Sequence, residues 1–248
     1  MVPRLIKRGV TAGAVVLGAE AAYAVLRPAP RQGEFDPSGT FGAPTRPLIR
    51  VAVLGDSSVT APGVAGPEEI WVWRVCARLG ETRHVVLESF AVSGARVADL
   101  IEDQLELALA FGPDLVFVAV GANDAIKGVP LRLFEDRLDD LVSVLTDTGA
   151  LVVLSGVGDL GTIPRLYPPL RNMMTRRSAR FDRAHHAVAS RHGAHVVEQR
   201  ADNPEIWYSD RSLWSADLFH VSAAGHERWA NVTWQTLAPL VGSGHEPG

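Results

Sequence analysis

An alternation of two sequence patterns constrains this chain most. Continuous apolar runs, "LIRVAVLG" (48–55), "DLVFVAVG" (114–121) and "ALVVLSGVG" (150–158), take turns with segments whose apolar residues recur at helical spacing. A strand buried on one face alternates apolar and polar residues. Strands apolar throughout need cover on both faces, which a parallel sheet between helical layers supplies. The helical segments are "EEIWVWRVCARLG" (68–80), "ARVADLIEDQLELALAFG" (95–112), "LRLFEDRLDDLVSVLTDTG" (131–149), "RRSARFDRAHHAVASRHG" (176–193) and "SAAGHERWANVTWQTLAPLV" (222–241). With "HVVLESFAVSG" (84–94) and "AHVVEQ" (194–199) as further strands, the pattern predicts an α/β fold. Its form is a three-layer α/β/α sandwich around a mainly parallel five-stranded sheet.

The flanks read differently. Arg4, Lys7 and Arg8 precede an apolar run from Gly9 to Leu26 that holds the small-residue triplet Ala22-Tyr23-Ala24. This order predicts an export signal over residues 1–26, with an uncleaved membrane anchor as the alternative. Glu20 weighs against the anchor, because a charge deep in a bilayer costs at least about 2–3 kcal/mol. Either way the domain that follows acts outside the cytoplasm, secreted or held at the outer face of the membrane. Residues 27–47 are rich in Pro and Gly and read as a linker; 48–242 form the domain and 243–248 a tail.

Composition excludes some functions. Of 248 residues, 47% are hydrophobic, enough for a sizeable core. A net charge of −4 and a pI near 6.1 argue against a nucleic-acid partner. The dense basic stretch "RNMMTRRSAR" (171–180) reads as the wet face of a helix. The single cysteine, Cys76, excludes an internal disulfide and reads as a small buried apolar residue. Neither HExxH nor a Cys/His cluster occurs, so neither metal nor cofactor is called for.

In parallel sheets sites form beyond the carboxyl ends of the strands, and the polar clusters of this chain fall there. They are Gly55-Asp56-Ser57-Ser58, Ala91-Val92-Ser93-Gly94 and Gly121-Ala122-Asn123-Asp124; before the last helix comes "SADLFHVSAAG", with Asp217 three residues from His220. Acyl transfer needs a nucleophile, a base with a pKa near working pH, a carboxylate to fix the base, and donors for a developing oxyanion. Ser57, His220 and Asp217 supply the first three. Gly94 and Asn123 are the candidate donors. Asp56 reads as a turn-holding side chain, Ser58 as a cap and Asp124 as a pin for its own loop. Asp210 precedes Asp217 in the same loop. His185, His186, His192 and His195 read as surface residues; His226, one turn into the last helix, is placed to approach the site but has no carboxylate at matching spacing.

The blocks "GDSSV", "AVSGA", "GAND" and "DLFH", in this order between about Val51 and Ala230, resemble the four blocks of the SGNH, or GDSL-type, hydrolases. The resemblance implies a flavodoxin-like SGNH hydrolase fold, Ser57 as nucleophile, His220 as base and Asp217 as its orienting acid. It also implies an oxyanion hole from the N–H groups of Ser57 and Gly94 and the Asn123 side chain. Ala91 stands where some members have Asn, and the first block lacks the longer apolar run of many members. The implied activity is hydrolysis of small-molecule, lipid or glycan carboxylic esters through an acyl-serine. An acyltransferase or carbohydrate deacetylase using the same site, and a catalytically silent glycan- or lipid-binding domain, are the alternatives. The long segment Gly156–Met174 is expected to wall the acyl side of the cleft with Leu166, Tyr167 and Leu170.

Overall fold

The fold is described from a computed structural model, which covers residues 20, 30 and 32–242. Six strands form one sheet: β1 (Gly39–Phe41), β2 (Leu48–Gly55), β3 (His84–Ser89), β4 (Leu115–Ala119), β5 (Leu151–Ser155) and β6 (His195–Val197). Their order is β1-β3-β2-β4-β5-β6; β1 runs antiparallel to β3 and the other pairings are parallel. The helices are α1 (Ser57–Thr60), α2 (Trp71–Leu79), α3, α4 (Ala122–Ile126), α5 (Leu131–Thr146), α6 (Leu170–His192), α7 (Pro204–Ser209) and α8 (Ala223–Gly242). The third, α3, joins Val97–Asp99, a π-helical turn Leu100–Gln104 and Leu105–Phe111.

The predicted layers are present. Every residue of β4 and the last five of β2 are buried, as strands covered on both faces must be. On one face Leu54, Val116, Val118 and Leu154 pack with Phe134 and Leu138 of α5 and Phe181 of α6. On the other, Val51, Val53 and Phe117 pack with Trp71, Val75 and Leu79 of α2 and Ala230 of α8. Cys76 lies in this second layer, where burial pushes its thiol pKa up.

The sheet has one strand more than expected. The segment read as a linker contributes β1, whose Phe41 meets Trp73 edge-on with ring centroids 4.7 Å apart. Phe35 N–H in the same segment donates to Thr60 C=O at 2.9 Å. The export or anchor segment lies outside the described residues except for Glu20, whose carboxylate accepts from Leu170 N–H at 2.9 Å. No helix among the described residues is long and apolar enough to cross a membrane.

Chain direction around β2 positions the site. From β2 the chain moves outward to β3, then crosses back to place β4 on the other side of β2. The carboxyl ends of β2 and β4 therefore flank the point where the winding reverses, the usual place for a crevice in such sheets. Gly55 ends β2 tightly: a Cβ there would stand 2.8 Å from Val59 and 3.0 Å from Ala119 C=O. The buried Gln104 carboxamide accepts from Gly55 N–H at 2.9 Å and donates to Gly55 C=O at 3.0 Å. The turn that carries Ser57 thus leaves a strand end fixed on two sides.

Candidate active site

Asp56 starts α1. Its backbone is extended, and one carboxylate oxygen accepts from Ser58 N–H at 2.9 Å, so it caps the helix on which Ser57 is the first residue. The other oxygen accepts from the Asn123 amide at 2.9 Å, tying the turn after β2 to the turn after β4. Burial raises the Asp56 pKa, while hydrogen bonds from Ser58 and Asn123 and the nearby His220 oppose the rise. Asp56 is therefore a structural link between the two turns.

Asn123 lies in α4, one residue after the Gly121-Ala122 step. Gly121 has φ +114°, and a Cβ on it would fall 2.9 Å from Val157, 3.1 Å from Phe134 and 3.2 Å from His185. The sequence needs glycine here for both backbone shape and space. The Asn123 amide donates to Asp56 and, at 3.1 Å, to Ala95 C=O, so both of its N–H groups are engaged. Asp124, fully buried, accepts from Val97 N–H at 3.1 Å and pins the start of α3 to this turn. Arg177 donates to Ala125 C=O at 2.6 Å and to Val129 C=O at 2.5 Å, so one member of the basic stretch supports α4 from below.

Asp217 and His220 lie in the loop before α8. One Asp217 oxygen accepts from the Ser215 hydroxyl at 2.7 Å, Phe219 N–H at 2.8 Å and His220 N–H at 2.9 Å. The other accepts from His220 Nδ1 at 2.6 Å. Leu218 between them has φ +60°, a strained value for leucine that the four hydrogen bonds to Asp217 hold in place. Burial opposes ionisation of Asp217, but the bonds from His220, Ser215 and the two backbone N–H groups hold its pKa well below the usual carboxylate range. A carboxylate on Nδ1 leaves the lone pair of neutral His220 on Nε2.

Ser57, Asn123 and His220 line one cleft. Ser57 Oγ makes no hydrogen bond among the described residues; His220 shares the cleft with it, unbonded. Gly94, in the loop after β3, has φ +79° and its carbonyl accepts from Lys127 Nζ at 2.8 Å. It is not among the cleft-lining residues, and its loop is tied to α1 by the Ser93–Thr60 hydroxyl pair at 2.8 Å. Among the described residues no cluster of His, Cys, Asp and Glu could hold a metal ion.

The long segment after β5 walls the cleft with its first part. Val157, Leu160 and Ile163 line the cavity, whereas Leu166, Tyr167 and Leu170 do not. Leu166 and Leu170 are turned into the core at 8% and 9% exposure, because α6 begins at Leu170 and draws them under it, and Tyr167 is 45% exposed. The wall is held by Arg200, which donates to Asp182 at 2.8 Å, Gly158 C=O at 2.7 Å and Ser178 at 2.8 Å. Asp182 in turn accepts from the N–H groups of Val157 and Gly158.

Of the other histidines, His185 departs from expectation and His226 reaches the site. His185 is fully buried beneath Gly121, its Nδ1 paired with Phe181 C=O at 3.0 Å. His226 is 1% exposed and lines the cleft. The aromatic side of the cleft, Trp71, Trp207, Trp214, Phe219 and Trp229, is gathered from α2, α7 and the loop and helix around His220. No local pattern in the sequence brings these rings together; helix packing does.

Known proteins are similar to this chain in sequence and in fold. The first curated relative is the GDSL-like esterase Rv1075c of Mycobacterium tuberculosis, 29% identical over 196 residues, 76% of this chain and 62% of that protein. An arylesterase of Vibrio mimicus is 30% identical over 107 residues, 42% of this chain and 52% of that protein. The matches thus span about three fifths and one half of the relatives' lengths. The crystal structure of TesA superposes with a TM-score of 0.64 at 26% identity, over 77% of this chain and 99% of that one. Axe2, an acetylxylan esterase from Geobacillus stearothermophilus, shares the fold at a TM-score of 0.62 and 20% identity, over 79% and 95% of the two chains. The family model of the GDSL-like lipases and acylhydrolases matches residues 53–228, from inside β2 to the first turns of α8, and the chain belongs to that family.

Proposed function

We propose that the protein is a serine esterase that cleaves carboxylic esters through an acyl-enzyme on Ser57. The observation that carries this reading is the Asp217–His220 pair, closed at 2.6 Å, on the same cleft as Ser57. Membership of the acylhydrolase family and the esterase names of the relatives support the ester as substrate.

The steps follow from the groups present. His220 Nε2 takes the Ser57 proton as Oγ bonds to the ester carbonyl carbon, and the Asp217 carboxylate stabilises the imidazolium that forms. The carbonyl oxygen becomes an oxyanion facing the N–H groups of Ser57 and Gly94 and the Asn123 amide. Because both Asn123 N–H groups are engaged beforehand, Asn123 exchanges the bond to Ala95 C=O for one to the oxyanion while Asp56 keeps the other. Collapse breaks the C–O bond to the alcohol, which leaves with the proton from His220. Water, deprotonated by the same Nε2, then releases the acid and restores Ser57.

The apolar Val157, Leu160 and Ile163 wall is the proposed acyl side. The basic and then apolar order of residues 1–26 supports export of the domain to the outer side of the cytoplasmic membrane. A p-nitrophenyl ester series tests the reading: turnover is expected with the wild type and lost with Ser57→Ala. Equal turnover by both proteins, or none by either, would return the site to ligand binding.

A further inference from the structure

The steps above leave one buried titratable group on the cleft unused. His226, on α8, is 1% exposed and lines the cavity. Its Nδ1 accepts from Trp71 N–H over a long 3.4 Å, and Trp229 stands edge-on to the ring with centroids 5.2 Å apart. An accepting Nδ1 leaves the single proton of a neutral imidazole on Nε2. Burial, then the Arg74 cation and then His220, push the His226 pKa down to about 3, which keeps the ring neutral at working pH. Nε2 has no hydrogen-bond partner among the described residues and is not among the side-chain atoms sealed from solvent. It is a donor waiting at the wall of the cleft, and buried donors in folded proteins are normally satisfied by whatever lies beside them.

Its neighbours say which part of a substrate it meets. His226 and His220 line the same cleft as Ser57. His220 is the group that hands its proton to the departing alcohol, so the neighbouring donor stands on the alcohol side of the ester. The same side carries the indoles of Trp207 and Trp229, inclined by 30° with centroids 6.0 Å apart. The indole N–H groups of Trp207 and Trp214 are spent on Asp202 at 3.0 Å and Trp207 C=O at 3.1 Å. The Trp207 and Trp214 rings therefore offer flat apolar surface, and His226 offers a donor beside them. We infer that His226 Nε2–H binds an oxygen on the alcohol part of the substrate, selecting esters whose alcohol carries a second oxygen next to the ester linkage, as in esters of sugars and other polyols. This rests on the esterase reading of the site.

The test is a ratio. 2-Hydroxyethyl acetate and n-propyl acetate have alcohol parts of nearly the same size and differ by a terminal hydroxyl. In His226→Asn the shorter side chain can still accept from Trp71 N–H but does not reach the Nε2 position. The ratio of kcat/KM for the hydroxyethyl ester to that for the propyl ester is expected to fall about 3- to 10-fold in the variant, the usual worth of one neutral hydrogen bond. An unchanged ratio overturns the inference, even if both rates fall in parallel, because parallel loss marks a packing role. If the variant does not fold, the Ser57→Ala protein decides: the His226 Nε2 nitrogen resonance should shift with 2-hydroxyethyl acetate more than with propyl acetate, and equal shifts overturn the inference. Propyl acetate turnover that survives Ser57→Ala sinks the esterase reading itself, whatever His226 does.

Discussion

Replacing Asp217 with asparagine separates holding the loop from fixing the base. One Asp217 oxygen accepts from Ser215, Phe219 N–H and His220 N–H, and an amide oxygen can keep all three bonds. The other oxygen, which receives His220 Nδ1 at 2.6 Å, becomes an NH₂ group in Asp217→Asn. Two donors then face each other unless the imidazole moves its proton to Nε2. That tautomer has no lone pair toward Ser57. In the serine proteases the same change of tautomer lowers kcat about 10⁴-fold, or ~5.4 kcal/mol of barrier at 1.36 kcal/mol per decade. The fold loses less: one charge-assisted hydrogen bond, about 1.5–3 kcal/mol.

The assay is p-nitrophenyl acetate turnover at pH 7 beside urea unfolding of the same preparations. Loss of activity within tenfold in a folded variant would refute the role given to Asp217. The stability difference should also depend on pH in one direction. The folded pKa of Asp217 lies below its unfolded value near 3.9, so its contribution is complete above that value and disappears as pH falls through the folded pKa. The gap between wild type and Asp217→Asn should therefore be full at pH 6 and narrow as pH is lowered from 4 toward 2. A gap that widens on acidification contradicts the assignment.

Three other substitutions probe the frame around the nucleophile. Asn123→Ala should lower kcat roughly 10²–10³-fold with a smaller change in KM, since its amide acts at the oxyanion; unchanged kcat would remove it from the oxyanion hole. Gly121→Ala meets both φ +114° and Val157 2.9 Å from the new carbon, and should cost at least about 1–3 kcal/mol in urea unfolding as well as activity. Full stability would mean the turn after β4 is less confined than described. Arg200→Met releases Gly158 C=O and Asp182 from the cleft wall, so KM for longer acyl esters should rise while p-nitrophenyl acetate turnover changes little; the reverse pattern would place the acyl side elsewhere.

The parts of this molecule legible in the sequence are those whose residues have only one environment to choose from. "VAVLG" and "LVFVA" are apolar at every position, and β2 and β4 are indeed buried on both faces. Three of the four blocks were legible because strand ends are where polar residues interrupt such runs; the fourth, in the loop before α8, was legible from the three-residue spacing of Asp217 and His220. What escaped depends on partners distant in sequence. The strand β1 is three residues long in a Pro/Gly-rich stretch and exists through backbone pairing with β3, which no side-chain pattern announces. The start of α6 lies six residues before the expected one, so Leu166 and Leu170 became core instead of cleft. His185 and His226 are ordinary helix histidines in the sequence, and only the packing of α6 and α8 against the sheet determines that both are buried.

The account turns on Ser57, His220 and Asn123 meeting at one carbonyl carbon. A crystal structure of the protein after reaction with an alkyl fluorophosphonate tests that most directly. The expected adduct is a bond from phosphorus to Ser57 Oγ, with the phosphonyl oxygen about 2.7–3.1 Å from Ser57 N, Gly94 N and Asn123 Nδ2 and His220 Nε2 within about 2.6–3.2 Å of an adduct oxygen. Attachment to Ser58 or another residue, or a phosphonyl oxygen turned away from these donors, would contradict it.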